Sequence, residues 1–389
     1  MREVLLDGRP GTVAELSAAL ADVLVGAGEV VLPLDATAPN LAELRAGAVP
    51  EEPFGPDAAL VISTSGSTGA AKGVEISRSA LRASAEATHR RLGGPGRWLL
   101  ATPAQYIGGV QVLVRSLLAG TEPGIVDLSV PFRSAGFAQA AEAVLSDSGV
   151  RRYTAMVPTQ LRTLLTEGGA GLAALARFDA VILGAAATSD QLRAAAADAG
   201  VRVVPAYGMT ETASGCVYDG KPLDGVELRL ADVEAGAGRI ELSGPVLATG
   251  YRGRPAATEA AFGDGWFRTG DSGRFDEQGR LEVLGRTDDL INTGGVKVAP
   301  ALVERALLAQ AGVGEACVFG LPDEHWGQAV VAAIVPADPA NAPDQQELCA
   351  AVRAAVGRAA VPKRVRYLEK LPLRGPGKID KTALRDLLS

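Results

Sequence analysis

Short apolar runs of strand length alternate with helical patterns through the first two thirds of the chain. The strand-like runs are Ala58–Ile62, Trp98–Thr102, Tyr153–Val157, Phe178–Leu183 and Val201–Pro205. Apolar residues at helical spacing fall between them, near 109–119, 134–147, 159–166 and 189–199. Strands separated by helices run parallel and are joined by crossovers, so the expected fold class is α/β, with sheets flanked by helices. Ser77 is placed to cap a helix whose Leu81, Ala85, Thr88 and Leu92 share one face. The rhythm changes between 225 and 285. Val226–Leu230, Arg239–Leu242 and Leu281–Leu284 are strand-like and separated by turns, which predicts a small antiparallel subdomain. Another unit begins near 288, with a helix over Ala301–Ala311 and Pro300 suited to its first position. Strands over Val313–Phe319, Val330–Val335 and Arg364–Leu368, a helix over Gln345–Arg358 and a short helix after Ile379 complete a small α+β C-terminal domain.

Charge and cysteine usage narrow the function classes. The 389 residues carry 38 Lys and Arg against 45 Asp and Glu, a formal charge of −7, which argues against an electrostatic nucleic-acid binder. A hydrophobic content of 47% is that of a globular protein. No run of roughly 18 apolar residues is free of charges and breakers, so no membrane-spanning helix is expected. The opening Met1–Asp7 is too short and too acidic for a secretory signal. Cys216, Cys317 and Cys349, with His89 and His325, have neither disulfide nor zinc spacing. A reduced cytoplasm is the expected setting.

The segment Ser63-Thr64-Ser65-Gly66-Ser67-Thr68-Gly69-Ala70-Ala71-Lys72-Gly73 follows a buried strand directly. It offers hydroxyls, glycines with accessible backbone N–H groups, and one cation, which together suit a polyphosphate. It is not a Walker A loop, because Ala71 precedes Lys72 and Gly73 follows it. This loop resembles the phosphate loop of the adenylate-forming superfamily, which includes acyl-CoA synthetases, peptide adenylation domains and luciferases. Further motifs appear in the family's order. Tyr207-Gly208-Met209-Thr210-Glu211-Thr212 is similar to its Y-G-x-T-E element, and Gly184-Ala185-Ala186-Ala187 to its small-residue turn. Trp266-Phe267-Arg268-Thr269-Gly270-Asp271 resembles W-x-x-T-G-D, and Gly285-Arg286-Thr287-Asp288-Asp289 the hinge. Gly294-Gly295-Val296-Lys297 is similar to the thiol-channel loop, with Lys297 as a departure, and Gly377-Lys378 to the C-terminal G-K element.

The resemblance implies a set of roles. Ser65, Gly66, Ser67, Thr68, Gly69 and Lys72 would hold the ATP phosphates. Gly184, Tyr207 and Gly208 would border adenine, Thr210 would contact the α-phosphate, and Asp271 and Arg286 would take the ribose. Glu211 and Thr68 would hold Mg²⁺, and Lys378 would be the adenylation lysine. Domains are expected over 1–287 (ATP and acid binding) and 288–389 (mobile), with Asp288 as pivot and Gly294 and Gly295 lining the coenzyme A channel. The implied reaction joins a carboxylate to AMP with loss of pyrophosphate, then passes the acyl group to coenzyme A. An ionised carboxylate needs no general base.

Compactness, Gly220-Lys221-Pro222-Leu223 and Asp323–Gln328 resemble the 2-succinylbenzoate–CoA ligases of menaquinone synthesis. Those ligases have Pro-x-His-His-Ile-x-Gly where this chain has Gln105 and Tyr106. Gln105, Tyr106, Gly208 and Arg115 are the residues expected at the acid. For Arg115, a solvated helix charge is favoured over contact with a second carboxylate. The lack of an Asp between Trp98 and Glu122 disfavours an amino-acid substrate. Another aryl- or acyl-CoA ligase, a carrier-protein ligase, and a catalytically silent nucleotide-binding protein stay open, as does a homodimer.

Overall fold

The computed structural model describes residues 1–49, 51–65, 71–146, 149–234, 236–374 and 378–388. Of Ser65, Arg374 and Lys378 only the backbone is described. The chain divides into two compact units. One takes in Met1–Ala187, Ala195–Arg229 and Glu241–Arg268; the other takes in Thr188–Ala194, Leu230–Ile240 and Thr269–Ser389.

The first unit contains a seven-stranded sheet ordered Lys221–Pro222, Ser214–Tyr218, Val203–Met209, Ala180–Leu183, Arg151–Met156, Gly96–Leu100, Gly124–Ile125. The last five of these strands run parallel, and Ser214–Tyr218 turns back antiparallel to Val203–Met209. The helices Ile107–Leu118, Ser134–Leu145, Pro158–Glu167 and Asp190–Asp198 lie between parallel strands in sequence, as the alternation predicts. Trp98 and Tyr153, from neighbouring strands, are fully buried with ring centroids 4.9 Å apart. The Tyr153 hydroxyl lies 3.0 Å from the Gly94 carbonyl, so the phenol is buried without losing its hydrogen bond.

A second sheet has the order Arg2–Leu6, Val31–Asp35, Ala58–Ser65, Ala71–Ser77, Gly250–Tyr251. The first three strands are parallel, and the last two pairings are antiparallel. Ser77 ends this hairpin and caps the helix Arg78–Leu92, its Oγ accepting from the Ala80 N–H at 3.0 Å.

In the second unit, Asp271–Phe275 pairs antiparallel with Leu281–Arg286, with Asp271 opposite Arg286. A five-stranded sheet is built on the hairpin Val313–Asp323 and Gly327–Pro336, flanked by Ile291–Thr293, Val296–Val298 and Arg364–Tyr367. This hairpin is apolar on both faces. Val318, Val330 and Ile334 pack with Val303 and Leu307 of the helix Pro300–Leu308 and Leu348 of the helix Gln345–Ala355. Phe319, Val331 and Ala333 pack with Leu371 and with Leu384 of the helix Lys381–Leu388. The helix expected over Gln345–Arg358 stops at Ala355, because Gly357 adopts φ of 109° and a 3₁₀ turn follows. Burial pushes the Cys216 and Cys317 thiols up to about 12, and the half-buried Cys349 thiol is raised for the same reason. No described helix is long and apolar enough to cross a membrane.

Candidate active site

Ligands of parallel sheets gather at the carboxyl ends of the strands. In the seven-stranded sheet those ends deliver Gly184 after Ala180–Leu183, Gln105 and Tyr106 after Gly96–Leu100, and the Tyr207–Thr212 segment. Tyr207 and Gly208 lie in the strand Val203–Met209, not in a loop, and Thr210–Thr212 form a single 3₁₀ turn. Gly208 faces the returning strand so closely that a Cβ there would stand 2.2 Å from the Ser214 carbonyl oxygen. Ala213 and Ser214 both take positive φ, 48° and 102°, the conformation that makes so tight a reversal. The turn is held from outside: Ser84 Oγ donates to the Ala213 carbonyl, and the Ala248 N–H donates to the Glu211 carbonyl.

Glu211 is thereby carried inward and is 8% exposed. Lys72 Nζ lies 2.9 Å from Glu211 Oε1. The Tyr251 hydroxyl donates to the same oxygen at 3.0 Å. Lys72 also sits over the Tyr251 ring, 3.9 Å from its centroid. Among the described residues, Glu211 Oε2 has no hydrogen-bond partner. A hard oxygen ligand in this position fits Mg²⁺, which takes one or two carboxylates and fills its remaining places with phosphate and water. Ser65 ends one hairpin strand and Ala71, opposite it, begins the other. Gly66, Ser67, Thr68 and Gly69 lie outside the described residues.

On the acid side, Gln105 Nε2 donates to Asp35 Oδ2 at 3.3 Å. Tyr106 stands at the start of the helix Ile107–Leu118, partly exposed, and burial with the nearby Asp35 raises its phenol. Arg115 differs from the sequence expectation. It is no solvated charge but 2% exposed, with Nη2 3.5 Å from the Tyr218 hydroxyl and its guanidinium 5.0 Å from the Trp98 ring. Its helix is buried nearly all round, so its single charge is buried too.

The adjacent His89 accepts from Trp98 Nε1 at 3.3 Å, and burial lowers its pKa from 6.5 to about 4. The unfolded state therefore binds a proton near pH 6.5 that the folded state refuses until about pH 4. Stability should be complete above pH 6.5 and fall as pH drops toward 4, and His89→Gln should flatten that part of the curve. Urea midpoints at pH 7 and pH 5 for both proteins check this.

In the second unit, Arg286 lies 3.9 Å from Asp271 Oδ1 and 3.1 Å from Asp288 Oδ1. Hydrogen bonds from Arg286 hold the Asp288 carboxyl below its ordinary range. The Arg286 guanidinium covers Gly270, where a Cβ would meet it at 2.7 Å. Gly294 and Gly295 form the turn between Ile291–Thr293 and Val296–Val298 with φ of 59° and 79°. Gly294 abuts the Trp326 ring, and Lys297 is exposed. The backbone at Lys378 starts a two-residue strand, and Lys381 Nζ is 2.8 Å from Asp289 Oδ2.

Sequence reasoning missed Asp35 and Tyr251. Tyr251 reaches Glu211, 40 residues away in sequence, only because Gly250–Tyr251 pairs with Ala71–Ser77. No local pattern announces that pairing.

The family model described as AMP-binding enzyme matches residues 10–252, and that of the AMP-binding enzyme C-terminal domain matches residues 302–378. The chain belongs to the AMP-binding enzymes and is an adenylate-forming acid–CoA ligase. It is 46% identical over 348 residues to the probable 2-succinylbenzoate–CoA ligase of Mycobacterium tuberculosis, covering 88% of this chain and 87% of that one. It is 34% identical to the 2-succinylbenzoate–CoA ligase of Listeria monocytogenes, covering 85% and 70%. The o-succinylbenzoate CoA synthetase of Bacillus subtilis in complex with its acyl-adenylate intermediate superposes with a TM-score of 0.74 at 26% identity, covering 99% and 83%. Nothing in these likenesses supports a silent protein.

Proposed function

We propose that the chain converts 2-succinylbenzoate to its coenzyme A thioester through an acyl-adenylate, with menaquinone synthesis in the cytoplasm as its setting. The observation that carries the substrate is the 46% identity spanning 88% of the chain. The chemistry is supported by the buried Glu211 carboxylate beside the Lys72 ammonium at the mouth of the phosphate hairpin. A homodimer is compatible with this reading.

In this reading the loop 65–69 and Lys72 grip the ATP phosphates, and Thr210 touches the α-phosphate. Gly184, Tyr207 and Gly208 border the adenine, and Asp271 and Arg286 take the ribose. Glu211 and Thr68 are the residues that would hold Mg²⁺, which when bound supplies positive charge against the phosphate oxygens. The substrate carboxylate, steered by Gln105, Tyr106 and Gly208, attacks the α-phosphorus and pyrophosphate departs. Arg115 begins about 13 Å along its helix from Tyr106, at roughly 1.5 Å per residue. It is therefore assigned to the core around Tyr218 and not to the acid. Lys378 offsets charge as the acyl–phosphate bond forms. Rotation at Asp288, between 1–287 and 288–389, then withdraws Lys378 and brings Gly294 and Gly295 to line the path of the coenzyme A thiol. The thiol attacks the acyl carbon and AMP leaves.

The test is α-labelled ATP with 2-succinylbenzoate and coenzyme A, with label expected in AMP and none in ADP. Pyrophosphate exchange with a panel of aromatic and dicarboxylic acids decides the substrate. Exchange with another acid but not with 2-succinylbenzoate would make this a different acyl-CoA ligase, and label in ADP would end the reading.

A further inference from the structure

Glu211, Lys72 and Tyr251 form a triangle of three contacts, two of which end on Glu211. Tyr251 donates its hydroxyl to Glu211 Oε1 at 3.0 Å and carries the Lys72 ammonium on its ring at 3.9 Å. Lys72 closes the triangle at 2.9 Å from the same Oε1. We propose that Tyr251 is the positioning residue of the nucleotide site, fixing Glu211 by its hydroxyl and Lys72 by its ring. The proposal rests on the reading of Glu211 as metal-holding and Lys72 as phosphate-binding.

The tyrosine is itself fixed. Its N–H donates to Thr258 Oγ1 at 2.9 Å, and the Phe262 ring meets its edge at 5.5 Å. Its strand residue pairs with Val74, two positions beyond Lys72 on the neighbouring strand. The next residue, Arg252, is bonded to Glu75 and to the carbonyls of Ala48, Val49, Glu52 and Pro53. Tyr251 therefore approaches Glu211 from an anchored strand and not from a loose loop.

The geometry divides the carboxylate's work. Among the described residues both donors use Oε1, which leaves Oε2 for a cation, since a carboxylate has acceptor sites on each oxygen. While phosphate is absent, Lys72 neutralises Glu211. When phosphate arrives, the ammonium can turn toward it across the ring, because attraction to a π face depends little on direction within that face. Glu211 then keeps one neutral donor, the Tyr251 hydroxyl. That bond prevents the carboxylate from swinging as its charge partner leaves.

Two variants separate the two contacts. Tyr251→Phe keeps the ring and removes the hydroxyl, whereas Tyr251→Leu removes both. Equilibrium ATP binding to the full chain is measured by calorimetry, first in EDTA and then across a Mg²⁺ titration with no acid substrate present. For Tyr251→Phe, ATP affinity in EDTA should stay within about twofold of the parent. The Mg²⁺ midpoint should rise about tenfold, the usual scale for losing a group that orients a metal ligand. Tyr251→Leu should lose ATP affinity in EDTA as well. An unmoved Mg²⁺ midpoint in Tyr251→Phe overturns the proposal, and so does an equal loss of metal-free affinity in both variants. If Tyr251→Leu does not fold, the Tyr251→Phe midpoint decides alone. Glu211→Gln keeps the two failures apart. Should it leave the Mg²⁺ midpoint unchanged, the reading of Glu211 itself falls. Should it raise the midpoint while Tyr251→Phe does not, only the role of Tyr251 falls.

Discussion

Lys378→Ala is expected to slow adenylate formation at least roughly 10²–10³-fold, the range for removing one well-placed charge from a transition state. Transfer of the acyl group from preformed acyl-adenylate to coenzyme A should proceed at close to the parent rate. The asymmetry follows from the proposed rotation at Asp288, which takes Lys378 away before the thiol arrives. Pyrophosphate exchange reads the first half-reaction, and thioester release from synthetic acyl-adenylate reads the second. Equal losses in both would mean that Lys378 serves one fixed site, and the two-state scheme would fail.

The second large effect is on stability. Arg252 is 3% exposed and Glu75 is 7% exposed, and their ion pair is 2.7 Å long. The same guanidinium donates to carbonyls of Ala48, Val49, Glu52 and Pro53 and lies on the Phe54 ring, so it stitches the 48–54 segment to the phosphate-loop hairpin. Arg252→Met retains volume but leaves a buried carboxylate and several carbonyls without their donor. Breaking such a pair from one side costs about 3–5 kcal/mol. The urea midpoint should fall accordingly, and Glu75→Gln added to Arg252→Met should recover part of the loss. A cost below about 1 kcal/mol would show that solvent reaches the site.

These residues also mark how far the chain could be read before its structure was known. Alternating strands and helices gave the parallel sheet because each helical stretch was long enough to cross over and each apolar run short enough to be a buried strand. Ser77 and Pro300 announced helix starts through local chemistry, a hydroxyl cap and a fixed φ. The N-terminal strand Val31–Asp35 escaped notice because it holds Pro33 and has no alternation. Pairing explains why the proline is tolerated: the ladder toward Ala58–Ser65 involves only Val31 opposite Leu60. Arg115 is buried although a lone charge on a helix is usually solvated, because its apolar helix is covered nearly all round, which the spacing of apolar residues does not reveal. The motifs exposed Lys72 and Glu211 as separate candidates, but the 2.9 Å bond between them, 139 positions apart, joins a strand of the five-stranded sheet to the turn after a strand of the seven-stranded sheet. Tyr251 and Asp35 belong to the same class, visible only when the sheets are assembled.

The cysteines carry a consequence for an enzyme that makes thioesters. An activated acyl group will acylate any accessible thiolate, and only the ionised sulfur is a strong nucleophile. Cys216 and Cys317 are sealed in the interior and stay protonated far above neutral pH. Self-acylation by the acyl-adenylate is thus closed off as a side reaction at these two positions.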